Sequence, residues 1–276
     1  MSVPDILQQI VATKKQEVVA AKVRVPETEL RKQVEGGGGE TPRNFFAALT
    51  KEPEGLVNII AEVKKSSPSA GIMKADFDPV AIAKMYHAAG ADALSVLTDE
   101  QYFGGKLEYI AAVKAAVPLP VLRKDFIIDP YQVWEARAAG ADAILLIAEI
   151  LSDAMMIDLQ ILATELRLTT LIEVHEMDSL LRVRSTISFP LRSYSLLGIN
   201  NRDLRTFKTD LGTTLRLAEL VEDKQILVAE SGIRDKADVQ RMTAAGVRSL
   251  LIGETLMRSG DVGGTMANLK GIFRKV

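Results

Sequence analysis

Short apolar runs in this chain repeatedly end in side chains able to trade protons or grip an anion. VNIIAEV (57–63) carries Glu62 and is followed at once by Lys64, PVLRKDF (120–126) carries Lys124, and TTLIEV (169–174) carries Glu173. SLLGIN (195–200) ends in Asn200, and QILVAE (225–230) ends in Glu230 with Ser231 behind it. Residues i and i+2 of a strand share a face, so Glu62 and Lys64 can project together. Burying such charges singly is costly, so the set is expected to converge on one site. There Lys124 would keep its charge through carboxylate neighbours such as Glu62. General acid–base catalysis is the chemistry such a set can perform.

A second group of residues suits an anion. Ser231-Gly232 follows one run and Gly253-Glu254 follows another. Glycines there let backbone N–H groups approach a phosphate. The long segment 64–79 offers Lys64, Lys65, Ser66, Ser67 and Ser69 as a clamp on an anionic ligand. Tyr102-Phe103 and Phe126 could wall a flat ring. The absence of cysteine excludes a thiol nucleophile, disulfides and thiolate metal sites. The two histidines, His87 and His175, are too few for a His-based metal cluster and read as ordinary polar residues rather than ligands.

Positioning these residues falls to a repeated unit. AAGADALSVL (88–97), AAGADAILLI (138–147) and AAGVRSLLIG (244–253) each close a segment opened by Asp78, Asp129 or Asp235. The aspartate caps a helix start, the glycine stops the helix, and the apolar run is a strand buried on both faces. Further runs bring the strands to eight, at 57–63, 93–97, 120–126, 143–148, 169–174, 195–200, 225–230 and 249–253. Helices are expected from Pro79, Lys106, Pro130, Ser152, Glu176, Asp210, Asp235 and Asp261. Such alternation predicts an α/β protein, a (β/α)8 TIM barrel, in which the C-terminal strand ends carry the chemistry. An open doubly wound sheet is the rival, weakened because no G-x-G-x-x-G follows the first strand.

Residues 1–55 form an N-terminal helical extension within a single domain spanning 1–276. Ile6, Leu7, Ile10, Val11 and Val18 recur at helical spacing, predicting a helix over 4–24, with a shorter one over 43–51. Gly36–Gly39 reads as a flexible joint. The extension could close the bottom of the barrel or lie near its mouth. The barrel is expected to fold without residues 1–45.

A net charge of −2 over 276 residues supplies no overall basic field, which argues against nucleic acid or an anionic membrane as partner. The N-terminus lacks signal-peptide features and no apolar run approaches the roughly 20 residues of a span, so a cytoplasmic location is expected.

The motifs ILQQIVATKKQEV, IIAEVKKSSPS, LTDEQYFGG, VLRKDFI, LLIAEIL, LIEVHE, GINNRDL, VAESGI and LIGETLM occur in this order. In them the chain resembles the indole-3-glycerol phosphate synthase family of tryptophan biosynthesis over nearly its whole length. The resemblance implies 1-(2-carboxyphenylamino)-1-deoxyribulose 5-phosphate as substrate, closed to the indole with loss of carbon dioxide and water, and neither metal nor organic cofactor, because the ring itself serves as electron sink for decarboxylation. It implies Lys124 as the acid at the ketone oxygen, Glu173 as the base for dehydration, and Lys64 as a grip on the substrate anion. Glu62, Asn200, Glu230 and Ser231 then orient substrate or tune that pair. Gly232, Gly253 and Glu254 fall on phosphate-binding positions, Glu254 through its backbone N–H alone, and Ser67 and Arg202 on further substrate contacts. Association with other enzymes of the pathway is an open possibility. Two other readings differ in class: a related phosphate-binding isomerase, whose thiol-type base has no counterpart here, and a non-catalytic barrel that binds phosphorylated metabolites.

Overall fold

A computed structural model describes residues 5–272 of the chain apart from 37–39, 69–70, 75, 188–189 and 204–205. Gly37–Gly39 of the glycine joint, Ser69, and residue 4 at the expected helix start therefore lie outside the described residues. Eight parallel strands close on themselves: β1 (Asn58–Val63), β2 (Ala93–Leu97), β3 (Val121–Lys124), β4 (Ala143–Ile147), β5 (Thr169–Val174), β6 (Ser195–Asn200), β7 (Leu227–Glu230) and β8 (Ser249–Ile252). Each pairs with its neighbours in the chain, and β8 completes the ring against β1 with Asn58 opposite Ser249. This is the (β/α)8 barrel expected from the alternation. Among the described residues no helix is long and apolar enough to cross a membrane.

The repeat has a mechanical basis. Asp78, Asp129 and Asp235 accept backbone N–H groups of the following helix turn. Asp92 and Asp142, just before β2 and β4, have a second task at the barrel's bottom. Asp92 accepts the Ile59 N–H at 2.9 Å and Asp142 accepts the Val121 N–H at 2.8 Å, each tying its strand to the preceding one. Buried lysines neutralise them: Lys270 sits 2.9 Å from Asp92, and Lys114 sits 2.5 Å from Asp142. In the third copy Arg248 replaces the aspartate and pairs outward with Glu52.

The extension divides between the two ends of the barrel. Helix α1 (Asp5–Arg24) buries Leu7, Ile10, Lys14 and Val18, one face at helical spacing. Helix α2 (Glu27–Glu35) lies on the flank, where Leu30 joins Val18, Tyr131 and Trp134 in a separate small core. Helix α3 (Phe45–Thr50) closes the bottom: Phe45 and Leu49 are fully buried in the main core, and the Leu49 carbonyl accepts from Asn58 and Ser249. The Arg43 guanidinium donates to the carbonyls of Lys114, Val117 and Leu119. Both readings of the extension thus hold, each for a different helix. Helix α2 was not expected, because ETELRKQVE has no apolar stripe. It rests on Leu30, on Glu27–Arg31 and Glu29–Lys32 pairs, and on Arg31 stacked over Trp134.

This placement corrects the expectation that the barrel folds without residues 1–45, since that cut removes the Arg43 and Phe45 contacts of the bottom. Removal of 1–35 is the appropriate truncation. It should leave a folded barrel with KM raised on the order of tenfold, the worth of one buried aliphatic side chain. Circular dichroism and substrate saturation curves check this; an unchanged KM would show that α1 contributes nothing to binding.

Candidate active site

The C-terminal strand ends surround a cavity of about 410 Å³. Most of the residues singled out from the sequence line it: Glu62, Lys64, Ser67, Phe103, Lys124, Phe126, Glu173, Asn200, Arg202, Glu230, Ser231, Gly232, Gly253 and Glu254. Strand alternation does the sorting. In β3 Lys124 points in, while Arg123 points out to Glu135 and the Gln132 carbonyl. Lys65 and Ser66 of the β1 loop do not line the cavity. Tyr102 turns instead to α1, where its hydroxyl meets that of Thr13 at 3.0 Å. Phe103 and Phe126 stand with ring centroids 6.0 Å apart, a tilted pair along one wall.

Lys124 is the electrostatic centre. Its Nζ donates to Glu173 Oε2 at 2.9 Å and to a Glu230 carboxylate oxygen. Burial opposes the charge, yet Glu173, Glu230 and Glu62 together hold the ammonium above the usual lysine value. The direct partners differ from expectation. Glu62 bonds Lys64, not Lys124, and acts on Lys124 only through its field. The neighbouring Asp125 bonds Thr98, Arg123 and Lys14 instead, and the last two hold it well below the usual carboxylate range against its burial.

The two carboxylates flanking Lys124 titrate in opposite directions. Burial would raise Glu173, but the charges of Lys124 and His175 bring it down to about 2. Glu230 is pushed up to about 8, first by burial and then by the charge of Glu173, with Lys124 only partly offsetting both. Like charges sharing one cation cannot both ionise at no cost, so the pair titrates as a unit with the proton on Glu230. Two glycines make room for this arrangement. A Cβ on Gly198 would overlap the Glu230 carboxylate, and one on Gly253 would overlap Glu62.

The loops after β7 and β8 form the opposite rim. Ser231 and Gly232 are both left-handed, with φ of 65° and 81°, and the Thr255 hydroxyl bonds the Ile233 carbonyl to join the loops. The Glu254 carboxylate is engaged by Arg258 at 3.1 Å and Arg202 at 3.5 Å. Above the cavity Ile6, Leu7 and Ile10 of α1 form an apolar roof. Lys14, two turns along, pins that helix down, its Nζ 3.0 Å from Asp99 and 2.9 Å from Asp125.

Sequence reasoning missed Lys14 and His175. A lysine within the apolar stripe of α1, at the i+4 position from Ile10, was the available signal for the first. For the second it was the i+2 spacing from Glu173. His175 Nε2 lies 3.3 Å from Glu173 Oε1.

A (β/α)8 barrel with a lysine held between carboxylates at its strand ends, and glycine turns on the opposite rim, defines an acid–base barrel enzyme. Residues 7–269 match the family model described as indole-3-glycerol phosphate synthase. The chain is 49% identical over 266 residues to the indole-3-glycerol phosphate synthase of Acidithiobacillus ferrooxidans, covering 96% of this chain and 98% of that one. It is 46% identical to that of Rhodospirillum rubrum, covering 97% and 99%. The chain belongs to the indole-3-glycerol phosphate synthase family. Among solved structures it is similar in fold to 3-hexulose-6-phosphate synthase from Salmonella typhimurium, with TM-score 0.62 and 13% identity over 78% of this chain and 97% of that one. It is also similar to thiamine phosphate pyrophosphorylase from Pyrococcus furiosus, with TM-score 0.54 and 15% identity over 79% and 95%.

Proposed function

We propose that this cavity takes 1-(2-carboxyphenylamino)-1-deoxyribulose 5-phosphate and closes it to indole-3-glycerol phosphate, with Lys124 as acid and Glu173 as base. The observation that carries the division of labour is the 2.9 Å contact between Lys124 Nζ and Glu173 Oε2. The aromatic carbon bearing the carboxylate attacks the ketone carbon, and the ketone oxygen takes a proton from Lys124 as it gains charge. The carboxylate leaves as carbon dioxide, and its bonding electrons restore the aromatic ring. Once Lys124 is neutral, Glu173 loses a neighbouring charge that suppressed its basicity and becomes a competent base. It accepts the proton of the ring methylene as the hydroxyl, taking a proton from solvent, departs as water. That proton then returns to Lys124 through the same contact, which resets the site.

Lys64 grips the substrate anion, Glu62 steadies Lys64, and Asn200 holds Glu173 through a 3.2 Å hydrogen bond. Phe103 and Phe126 flank the anthranilate ring, and Ser67 and Arg202 add polar contacts. Ser231 and the backbone of Gly232, Gly253 and Glu254 receive the phosphate. The pairing of the Glu254 carboxylate with two arginines supports a contribution from its N–H alone. A cytoplasmic setting, and association with neighbouring enzymes of the pathway, belong to the same proposal.

Indole fluorescence followed with this substrate and with its dephosphorylated analogue tests the reading. Product from the first and a large KM increase for the second are expected. No indole from the phosphorylated substrate would overturn it.

Glu230 adds a pH dependence. Its raised pKa means the neutral acid is present below about pH 8 and is lost as pH rises through that value. The site then gains a negative charge facing an anionic substrate, so KM should rise on the order of tenfold, the interaction of two charges at about 10 Å in a protein-like dielectric. Glu230→Gln should abolish that rise. A KM that stays flat from pH 7 to 9 in the unsubstituted protein would show that Glu230 carries no proton in the working enzyme.

A further inference from the structure

The side chain behind Glu173 is the feature the mechanism leaves unused. His175 does not line the cavity, yet its imidazole spans two buried carboxylates. Nδ1 lies 3.1 Å from Glu149 Oε2, and Nε2 lies 3.3 Å from Glu173 Oε1, a charge contact rather than an aligned hydrogen bond. Glu149 is fixed in turn, since its other oxygen accepts the His175 backbone N–H at 2.9 Å. All three side chains are about nine-tenths buried or more.

An ionised carboxylate only accepts hydrogen bonds, so the nitrogen facing each must carry a proton to be attracted. A neutral ring protonated on Nδ1 would turn the Nε2 lone pair toward Glu173 and repel it. We propose that His175 is a positioning residue, an imidazolium clamped by Glu149 that keeps Glu173 ionised and aimed during the interval when Lys124 has given up its proton. This rests on the assignment of Glu173 as the base.

The two cations divide the carboxylate between them. Lys124 holds Oε2, whereas His175 and Asn200 hold Oε1. When ring closure removes the Lys124 charge, His175 becomes the remaining counter-ion. Without it, a buried Glu173 would tend to take up a proton itself and could not accept one from the substrate. The charged surroundings agree. Glu149, after β4, and Glu173 on β5 favour an imidazolium, Glu230 on β7 adds to them only once ionised, and Lys124 on β3 stands across Glu173 from it. Ser179 bonds Glu149 from the following helix, and Arg182 there is engaged by Asp153 and the Ala148 carbonyl. Burial opposes the charge on the ring, but the Glu149 hydrogen bond and the charges of Glu173 and Glu149 hold it above the ordinary histidine value.

The full chain has only two histidines, and His87 is exposed, so it serves as an internal reference. Nitrogen NMR of the 15N-histidine-labelled protein should show both His175 nitrogens protonated at pH 7. Glu149→Gln should weaken that protonation. A neutral His175 at pH 7 overturns the proposal without reference to turnover. In single turnovers, His175→Gln should slow indole formation about 10-fold, less than the roughly 10²-fold at which the worth of a general base itself begins, while carbon dioxide release and KM stay within about twofold. Unchanged indole formation, or equal loss of both products, also overturns it. Glu173→Gln run alongside separates the two assignments. If Glu173 is not the base for dehydration, that variant keeps both products or loses both equally, whatever charge His175 carries.

Discussion

Lys124→Met is expected to release neither carbon dioxide nor indole. The substituted side chain fills the same space but carries no proton for the ketone oxygen, and no charge for the oxyanion that forms there. A positioned acid is typically worth about 10²–10⁴-fold, and electrostatic stabilisation of the same oxygen adds to it, so a loss of at least that size is expected. The substitution also leaves Glu173 and Glu230 without their shared cation. Methionine cannot compensate a buried carboxylate, so Glu173, beside an already protonated Glu230, should shift toward its neutral form as well. Carbon dioxide and indole measured separately check the assignment. Near-normal carbon dioxide release would mean that Lys64 or another group is the acid.

Glu173→Gln should fail later, by a similar factor in indole formation. The glutamine amide oxygen can still accept from Lys124, so ring closure and carbon dioxide release should persist. What is lost is the acceptor for the ring methylene proton, leaving the decarboxylated, hydroxyl-bearing intermediate to accumulate. A chemical quench should therefore find carbon dioxide in excess of indole. Equal loss of both products would place Glu173 in the first step instead. Loss of neither would remove it from the chemistry.

The fold was largely legible because its signals are local. Helix-capping aspartates, helix-stopping glycines and short doubly apolar strands each act within about ten residues, and their repetition admits few topologies. The strand boundaries moved little. β3 ends at Lys124 rather than 126 because the Asp125 carboxylate accepts the next backbone N–H, from Phe126, and the chain leaves the ladder there. Helix α2 escaped because it buries only Leu30, and most of what holds it lies on the helix Pro130–Ala138, about a hundred residues away.

Residue types at strand ends, read alone, determined which side chains would gather at the mouth, since strand alternation and parallel closure send them all to one end. Which charge meets which was decided by tertiary structure. Lys124 finds Glu173 and Glu230 across 49 and 106 residues, Lys14 finds Asp99 and Asp125, and His175 finds Glu149. Such pairings depend on ångström distances set by barrel closure and on room left by glycines such as Gly198 and Gly253. Electrostatic energy inside a protein changes steeply with both separation and burial. Neither quantity is encoded within any short stretch of chain, so the members of the site could be read in advance and their partners could not.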